Sequence, residues 1–282
     1  MKKILKYALI AFAGVLAFLT GQTVHESIEI HRRVNAFMAK GTLQEDLSSD
    51  TIKYYKVSHE TYHKDEFYRP PFFAGDLTQP GAEGDILITR DSPLVTLPGI
   101  HQFVSFYFGG HAAYVGPNNK LYEIIGIPDY DESFLKVYFK GGRSTHVTDV
   151  DNYWLDSNFR NSNEPEYKVY GSYYRKNWIG VRVKGVSFEE IQQVNDFMQN
   201  LVDMQAQYNF QFIFNTTNRY YCTDMMARGI STIINNNGRM KYNLNQDGIA
   251  VTSNDLILSK DVYISYYVRT DKNNVKHVYY IG

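Results

Sequence analysis

Cysteine is almost missing from this chain. Cys222 is its one occurrence in 282 residues, so no internal disulfide can form, and the thiol is either a small buried apolar residue or a reactive nucleophile. Net charge is nearly missing too, −1 from 29 basic and 30 acidic side chains. With no basic stripe, the chain offers no field for nucleic acid, which is excluded as a partner. No internal repeat occurs, and the Asn235-Asn236-Asn237 run is too short for low complexity; it reads as a helix stop.

Charge is wholly absent from Tyr7 to Val24, and Tyr7 to Leu19 is apolar apart from Gly14. Behind Lys2, Lys3 and Lys6 this is the pattern of a secretory signal or signal anchor. The lysines stay inside, which places the remainder outside the cytoplasm, membrane-anchored or secreted. Leu19-Thr20-Gly21 is a poor cleavage site, favouring an uncleaved anchor, and the lack of a nearby cysteine excludes a lipoprotein. The competing reading is a buried N-terminal helix of a soluble protein. The expected division is 1–24 signal or anchor, 25–83 a helical and irregular extension, and 84–282 the catalytic domain. The 24 tyrosines and 17 phenylalanines fit a strand-rich fold, and also a face that stacks on sugars.

Ile30, Val34, Phe37 and Met38 mark one face of a helix over 26–48, either a stalk or a helix packed on the domain. Gly84 opens a strand, Asp85 to Thr89. Two apolar runs, His111 to Val115 and Leu121 to Ile125, flank the Pro117-Asn118-Asn119 turn signal and predict a hairpin. Residues 127–165 read as a polar surface excursion and Val169 to Val183 as strand. Ser187-Phe188-Glu189-Glu190 is a capping box, starting a helix with Ile191, Val194, Met198, Leu201 and Val202 inward and ending near Tyr208. Asn215 to Asn218 breaks the chain. A second helix starts close to Cys222, burying Met225, Met226, Ile230, Ile233 and Ile234, and residues 261–281 return to strand.

A thiol in the first turn of a helix is activated by unpaired backbone N–H groups and the helix dipole. It then needs a base, which histidine provides near neutral pH. His111 stands out among eight histidines, because it opens an apolar strand between glycines. Glu123 is the carboxylate of the paired strand, and a buried carboxylate needs a partner. A three-residue hairpin loop sets His111 opposite Glu123. A five-residue loop leaves them two positions apart on one face, and two or four residues put them on opposite faces. A lone cysteine in an apolar helix is otherwise an ordinary core residue.

The order Gly84-Asp85-Ile86-Leu87, Gly110-His111-Ala112-Ala113-Tyr114-Val115-Gly116, Tyr122-Glu123, Tyr208-Asn209-Phe210 and Tyr221-Cys222-Thr223-Asp224-Met225 resembles the permuted papain-like cysteine hydrolases. These are the YiiX-like branch of the NlpC-type superfamily, with lecithin retinol acyltransferase a distant relative. The resemblance covers residues 84–268. It implies an α+β, permuted papain-like fold, with an antiparallel sheet packed on a cysteine-bearing helix. It also implies Cys222 as nucleophile, His111 as base and Glu123 as the polar third member, with no cofactor or metal. The family's usual Cys-Ser-Glu-Leu continuation is here Cys222-Thr223-Asp224-Met225. The expected chemistry is amide or ester cleavage through a thioester, with the Cys222 backbone N–H and Tyr221 or Gln102 as oxyanion donors. Expected substrates are a peptidoglycan peptide, as for an amidase or endopeptidase, or a lipid amide or ester.

Two rivals stand beside this. His59-Glu60-Thr61-Tyr62-His63 matches H-E-x-x-H, a zinc metallopeptidase pattern that needs both histidines on one helix. The other rival is a non-catalytic cell-surface binding module on the same fold.

Overall fold

The computed structural model describes residues 2–92, 99–129, 131–156, 163, 175–212, 216–245, 248 and 250–282. Its strands are β1 (Gly41–Gln44), β2 (Ile52–Val57), β3 (Asp85–Thr89), β4 (His111–Val115), β5 (Leu121–Glu123), β6 (Thr148–Val150), β7 (Asn177–Val183), β8 (Gln207–Tyr208), β9 (Arg219–Tyr220), β10 (Val262–Thr270) and β11 (Lys276–Ile281). The α-helices are α1 (Lys2–Met38), α2 (His59–Tyr62), α3 (Ile100–Tyr107), α4 (Phe134–Lys140), α5 (Phe188–Asp203), α6 (Cys222–Ser231) and α7 (Ser253–Leu258). The fold is α+β. Nine strands form one sheet in the order β1-β2-β11-β10-β7-β3-β4-β5-β6, and β8 and β9 form a small parallel ribbon.

The sheet is mixed, which corrects the expected antiparallel one: β2 lies parallel to β11. The reason is topological. The chain leaving β2 runs on to begin β3 mid-sheet, so β2 meets the distant β11 running the same way. Residues 25–83 thus supply two strands. The helical periodicity expected over 26–48 holds to Met38, with Ile30, Val34 and Phe37 buried. It fails beyond because residues 41–44 pair with β2 instead, and the backbone at Gly41 runs against the Tyr279 ring. α1 is continuous through both the apolar segment and this face.

Both faces of the central strands are covered, so alternate residues enter two cores. Ile86, Ile88, Ala112 and Tyr114 pack under α1, α5, α6 and α7, while Leu87, Ala113, Val115 and Leu121 pack with Tyr54, Trp154, Trp178 and Tyr266. The Ser187 capping box forms as expected, Ser187 accepting from Glu190 N at 3.3 Å and Glu190 Oε2 from Ser187 N at 3.0 Å. α5 stops at Asp203, short of the expected Tyr208, because residues 207–208 pair with β9. α6 ends at Ser231; Ile233 is buried beyond it, but Ile234 is exposed rather than inward, as its backbone bridges to Met240. Of the strand expected over 169–183, residues 177–183 form β7 and residues 169–174 lie outside the described residues. Asn215, in the expected chain break, lies outside them too.

One buried ion pair staples β3 to β7. Asp85 is the cross-strand neighbour of Arg182, which donates to its carboxylate through Nε at 2.7 Å and Nη2 at 3.0 Å, with side-chain exposures of 0% and 1%. Removing one partner strands a buried charge. Asp85→Ala is therefore expected to lower stability by about 3–5 kcal/mol. Denaturant unfolding measures this; a loss below about 1 kcal/mol, the scale of a surface pair, overturns it.

Candidate active site

The hairpin connection is five residues, since Val115 pairs with Leu121 and Tyr114 with Tyr122. That register leaves His111 and Glu123 two positions apart on one face. The gap is closed by side chains: His111 Nε2 lies 2.9 Å from Glu123 Oε2, both residues buried. With the carboxylate accepting from Nε2–H, Nδ1 is the nitrogen left to take a proton. The Cys222 side chain lies close enough to this ring to act on its protonation. Cys222 is the first residue of α6, whose N-cap is Tyr221, and α6 packs against β4. The sulfur's residue is buried but keeps 9% of its surface exposed.

The electrostatics follow from this packing. Burial and the charge of Arg175 press the His111 pKa down. The hydrogen bonds to Cys222 and Glu123, with the carboxylate's charge, outweigh them, and the ring titrates above histidine's ordinary 6.5. Burial alone raises the Glu123 pKa. The hydrogen bond and charge of His111, with Arg175 and Tyr153, reverse this and hold it below 4.5. Carboxylate and imidazolium thus support each other in a dry setting.

Three residues around the dyad escaped the sequence analysis. Tyr153 donates its hydroxyl to both Glu123 oxygens, at 3.1 and 2.8 Å. Trp154 stacks on the His111 ring at 6.2 Å and 20°. The Arg175 guanidinium lies over the Tyr153 and Trp154 rings, 5.0 and 4.7 Å from their centroids. The expected surface excursion over 127–165 is therefore corrected in its described part. Val137 and Val147 are buried, β6 extends the sheet, and Tyr153 and Trp154 line the dyad. The apolar run Tyr153-Trp154-Leu155 within polar sequence was the available signal; Arg175 gave none.

No protein-family model, curated protein or solved structure matches the chain. The site must therefore be read from its own geometry. The departures from the Cys-Ser-Glu-Leu pattern have local work. Thr223 Oγ1 donates to Val251 O at 2.6 Å, and Asp224 pairs with Arg228 at 2.8 Å. Asn209 N donates to Tyr220 O at 2.9 Å, so the β8–β9 ribbon fixes the peptide entering α6. Of the two candidate oxyanion donors, Tyr221 accepts at its hydroxyl from Val251 N at 2.7 Å, and Gln102 Oε1 accepts from Gly99 N to cap α3. Both have structural hydrogen bonds.

The H-E-x-x-H segment does not build the geometry its zinc reading needs. α2 ends at Tyr62, and His63 is extended at φ −154° and packs its ring on Tyr263. His59 Nε2 accepts from Asp65 N at 3.1 Å. Pro70 and the short polar stretch before it leave no second helical turn. Among the described residues, no three His, Cys, Asp or Glu side chains gather as a metal-binding group.

Proposed function

We propose that this protein is an extracytoplasmic cysteine hydrolase on a permuted papain-like fold, held to the membrane by an uncleaved α1. It cleaves an amide or ester bond through a thioester on Cys222. One observation carries the reading: the hydrogen-bonded His111–Glu123 pair meets Cys222, about a hundred residues further along the chain, at the start of the helix packed on β4.

In this mechanism His111 Nδ1 takes the Cys222 Sγ proton while Glu123 holds Nε2–H. The sulfur attacks the substrate carbonyl carbon. The oxyanion is stabilised by the Cys222 backbone N–H at the helix start. The imidazolium returns its proton to the leaving amine or alcohol as the C–N or C–O bond breaks. Water, deprotonated by His111, then attacks the thioester, releasing the acid and restoring the thiol. Location outside the membrane makes a peptidoglycan peptide the first substrate class to try, with lipid amides and esters second.

The test is alkylation of the native chain by iodoacetamide across pH. An ordinary thiol of pKa about 8.5 is roughly 1% thiolate at pH 6.5. A thiolate paired with imidazolium gains up to ~100-fold in abundance and loses part of this in nucleophilicity, a net gain of about tenfold. Native Cys222 is expected to react that much faster than the unfolded chain, with no effect of chelator or of His59→Ala. Alkylation that occurs only after denaturation overturns the proposal and favours a non-catalytic module.

A further inference from the structure

We infer that α3 is a second membrane contact, seated in the headgroup boundary of the bilayer that α1 crosses. This rests on α1 being an uncleaved anchor. No loop separates the apolar part of α1 from the part packed on the domain, because the helix runs unbroken from Lys2 to Met38. The domain grips it at several levels. Arg33 donates to Ile257 O, Asn254 donates to Glu26, Arg90 donates to Ser27, and Thr20 Oγ1 hydrogen-bonds Tyr107 Oη at 2.7 Å. The last contact is decisive, because Thr20 lies inside the uncharged stretch Tyr7–Val24.

Helix rise sets the depth. Tyr7 to Leu19, ahead of the first domain contact, spans only about 20 Å, against a hydrocarbon core of about 30 Å. Including Thr20 to Val24 brings the apolar length to about 27 Å. The bilayer must therefore reach past the level at which Tyr107 is bound. Thr20 then lies about 7 Å below His25, the first ionisable group beyond the stretch, a depth typical of interfacial helices.

The surface of α3 suits that position. Phe103 is 54% exposed and Phe108, just past the helix end, 37%. Phe103 packs on the Tyr107 ring at 4.9 Å, so apolar rings lie beside the α1 contact. α3 carries no Asp, Glu, Lys or Arg, its His101 sits in the first turn and is only partly exposed, and its one tyrosine hydroxyl is paired with Thr20. Phe108 continues through Phe212, at 5.7 Å, to Tyr221, at 5.2 Å, the residue before the thiol. Seating α3 in the interface therefore holds the Cys222 end of α6 at a fixed, short distance from the lipid surface.

The experiment uses the full chain in phosphatidylcholine vesicles carrying bromine either near the headgroup or near the chain ends. Phe103→Trp reports α3 and Val15→Trp the middle of the uncharged stretch of α1, with the unsubstituted protein correcting for buried Trp154 and Trp178. The Phe103→Trp emission is expected to fall about twofold with the shallow label and less with the deep one, as for a ring at interfacial depth. Val15→Trp is expected to show the reverse order. An unquenched Phe103→Trp beside a deeply quenched Val15→Trp overturns the α3 contact and leaves the anchor standing. Failure of both removes the anchor and the contact together. Alkylation of Cys222 by a water-soluble reagent is read separately, so neither result is confused with failure of the thiol chemistry.

Discussion

Replacing His111 with asparagine is expected to lower kcat/KM for an acyl p-nitroanilide, an amide whose leaving amine must be protonated, by about 10²–10⁴-fold, the usual contribution of a positioned acid–base group. Cys222→Ala is expected to leave no cleavage above background. The difference between them follows from their roles. Without the ring the sulfur keeps its place at the helix start, but nothing takes its proton or returns one to the leaving group. Mass spectrometry of the intact chain adds a second readout: acyl transfer to Cys222 adds the acyl mass, and the adduct disappears in Cys222→Ala. The protonated ring serves the leaving-group step. Because its pKa lies above 6.5, that form persists to higher pH than in an ordinary histidine, and the alkaline limb of the rate profile shifts upward accordingly. Full activity in either variant, or an acyl adduct elsewhere, refutes the thioester route.

Glu123→Ala is expected to be the most damaging substitution for the fold around the site. It leaves a buried imidazolium without its carboxylate and removes the two hydrogen bonds that Tyr153 donates to Glu123. Breaking a buried pair in this way costs about 3–5 kcal/mol. In a chain of this size that is a fall in Tm of roughly 10 °C. Glu123→Gln keeps an acceptor and loses only the charge, so its cost is expected to be smaller, about 1–3 kcal/mol. The pH dependence separates charge from packing. Glu123 titrates below 4.5 in the fold, so its contribution is present above 4.5 and lost as pH falls through the folded value. His111 titrates above 6.5, so its contribution is full below 6.5 and lost as pH rises through the folded value. The stability gap between the natural chain and Glu123→Gln is therefore widest between these limits and narrows on both sides. Thermal melts across the acid and alkaline ranges measure it, and a gap independent of pH overturns the charged-pair account.

What the sequence revealed was what local chemistry controls. Gly84 and the apolar run after it located β3, and the turn signal at Pro117 located the β4–β5 hairpin. The two possible same-face registers already allowed His111 to meet Glu123; the five-residue connection selects one. The Ser187 capping box placed α5, and the apolar spacing of Met225, Met226, Ile230 and Ile233 placed the thiol near a helix start. Pairings between distant segments were not legible. Nothing in Ile52–Val57 announces a parallel partner more than two hundred residues away. Tyr153 and Arg175 reach the dyad only through tertiary packing, and neither has a periodicity to betray it. The short α7 did carry a capping box, Thr252 with Asp255, but six residues give too little period to detect.

The placement of β11 bears on how this protein is made. Residues 276–281 lie third in the sheet, held between β2 and β10. The sheet cannot close until that segment has been made, so residues 52–57 wait with an unpaired edge through most of synthesis. Exposed edges invite pairing with other chains, and such late, long-range closure is slow. A nascent chain of this design depends on being kept apart from its neighbours until its closing strand arrives.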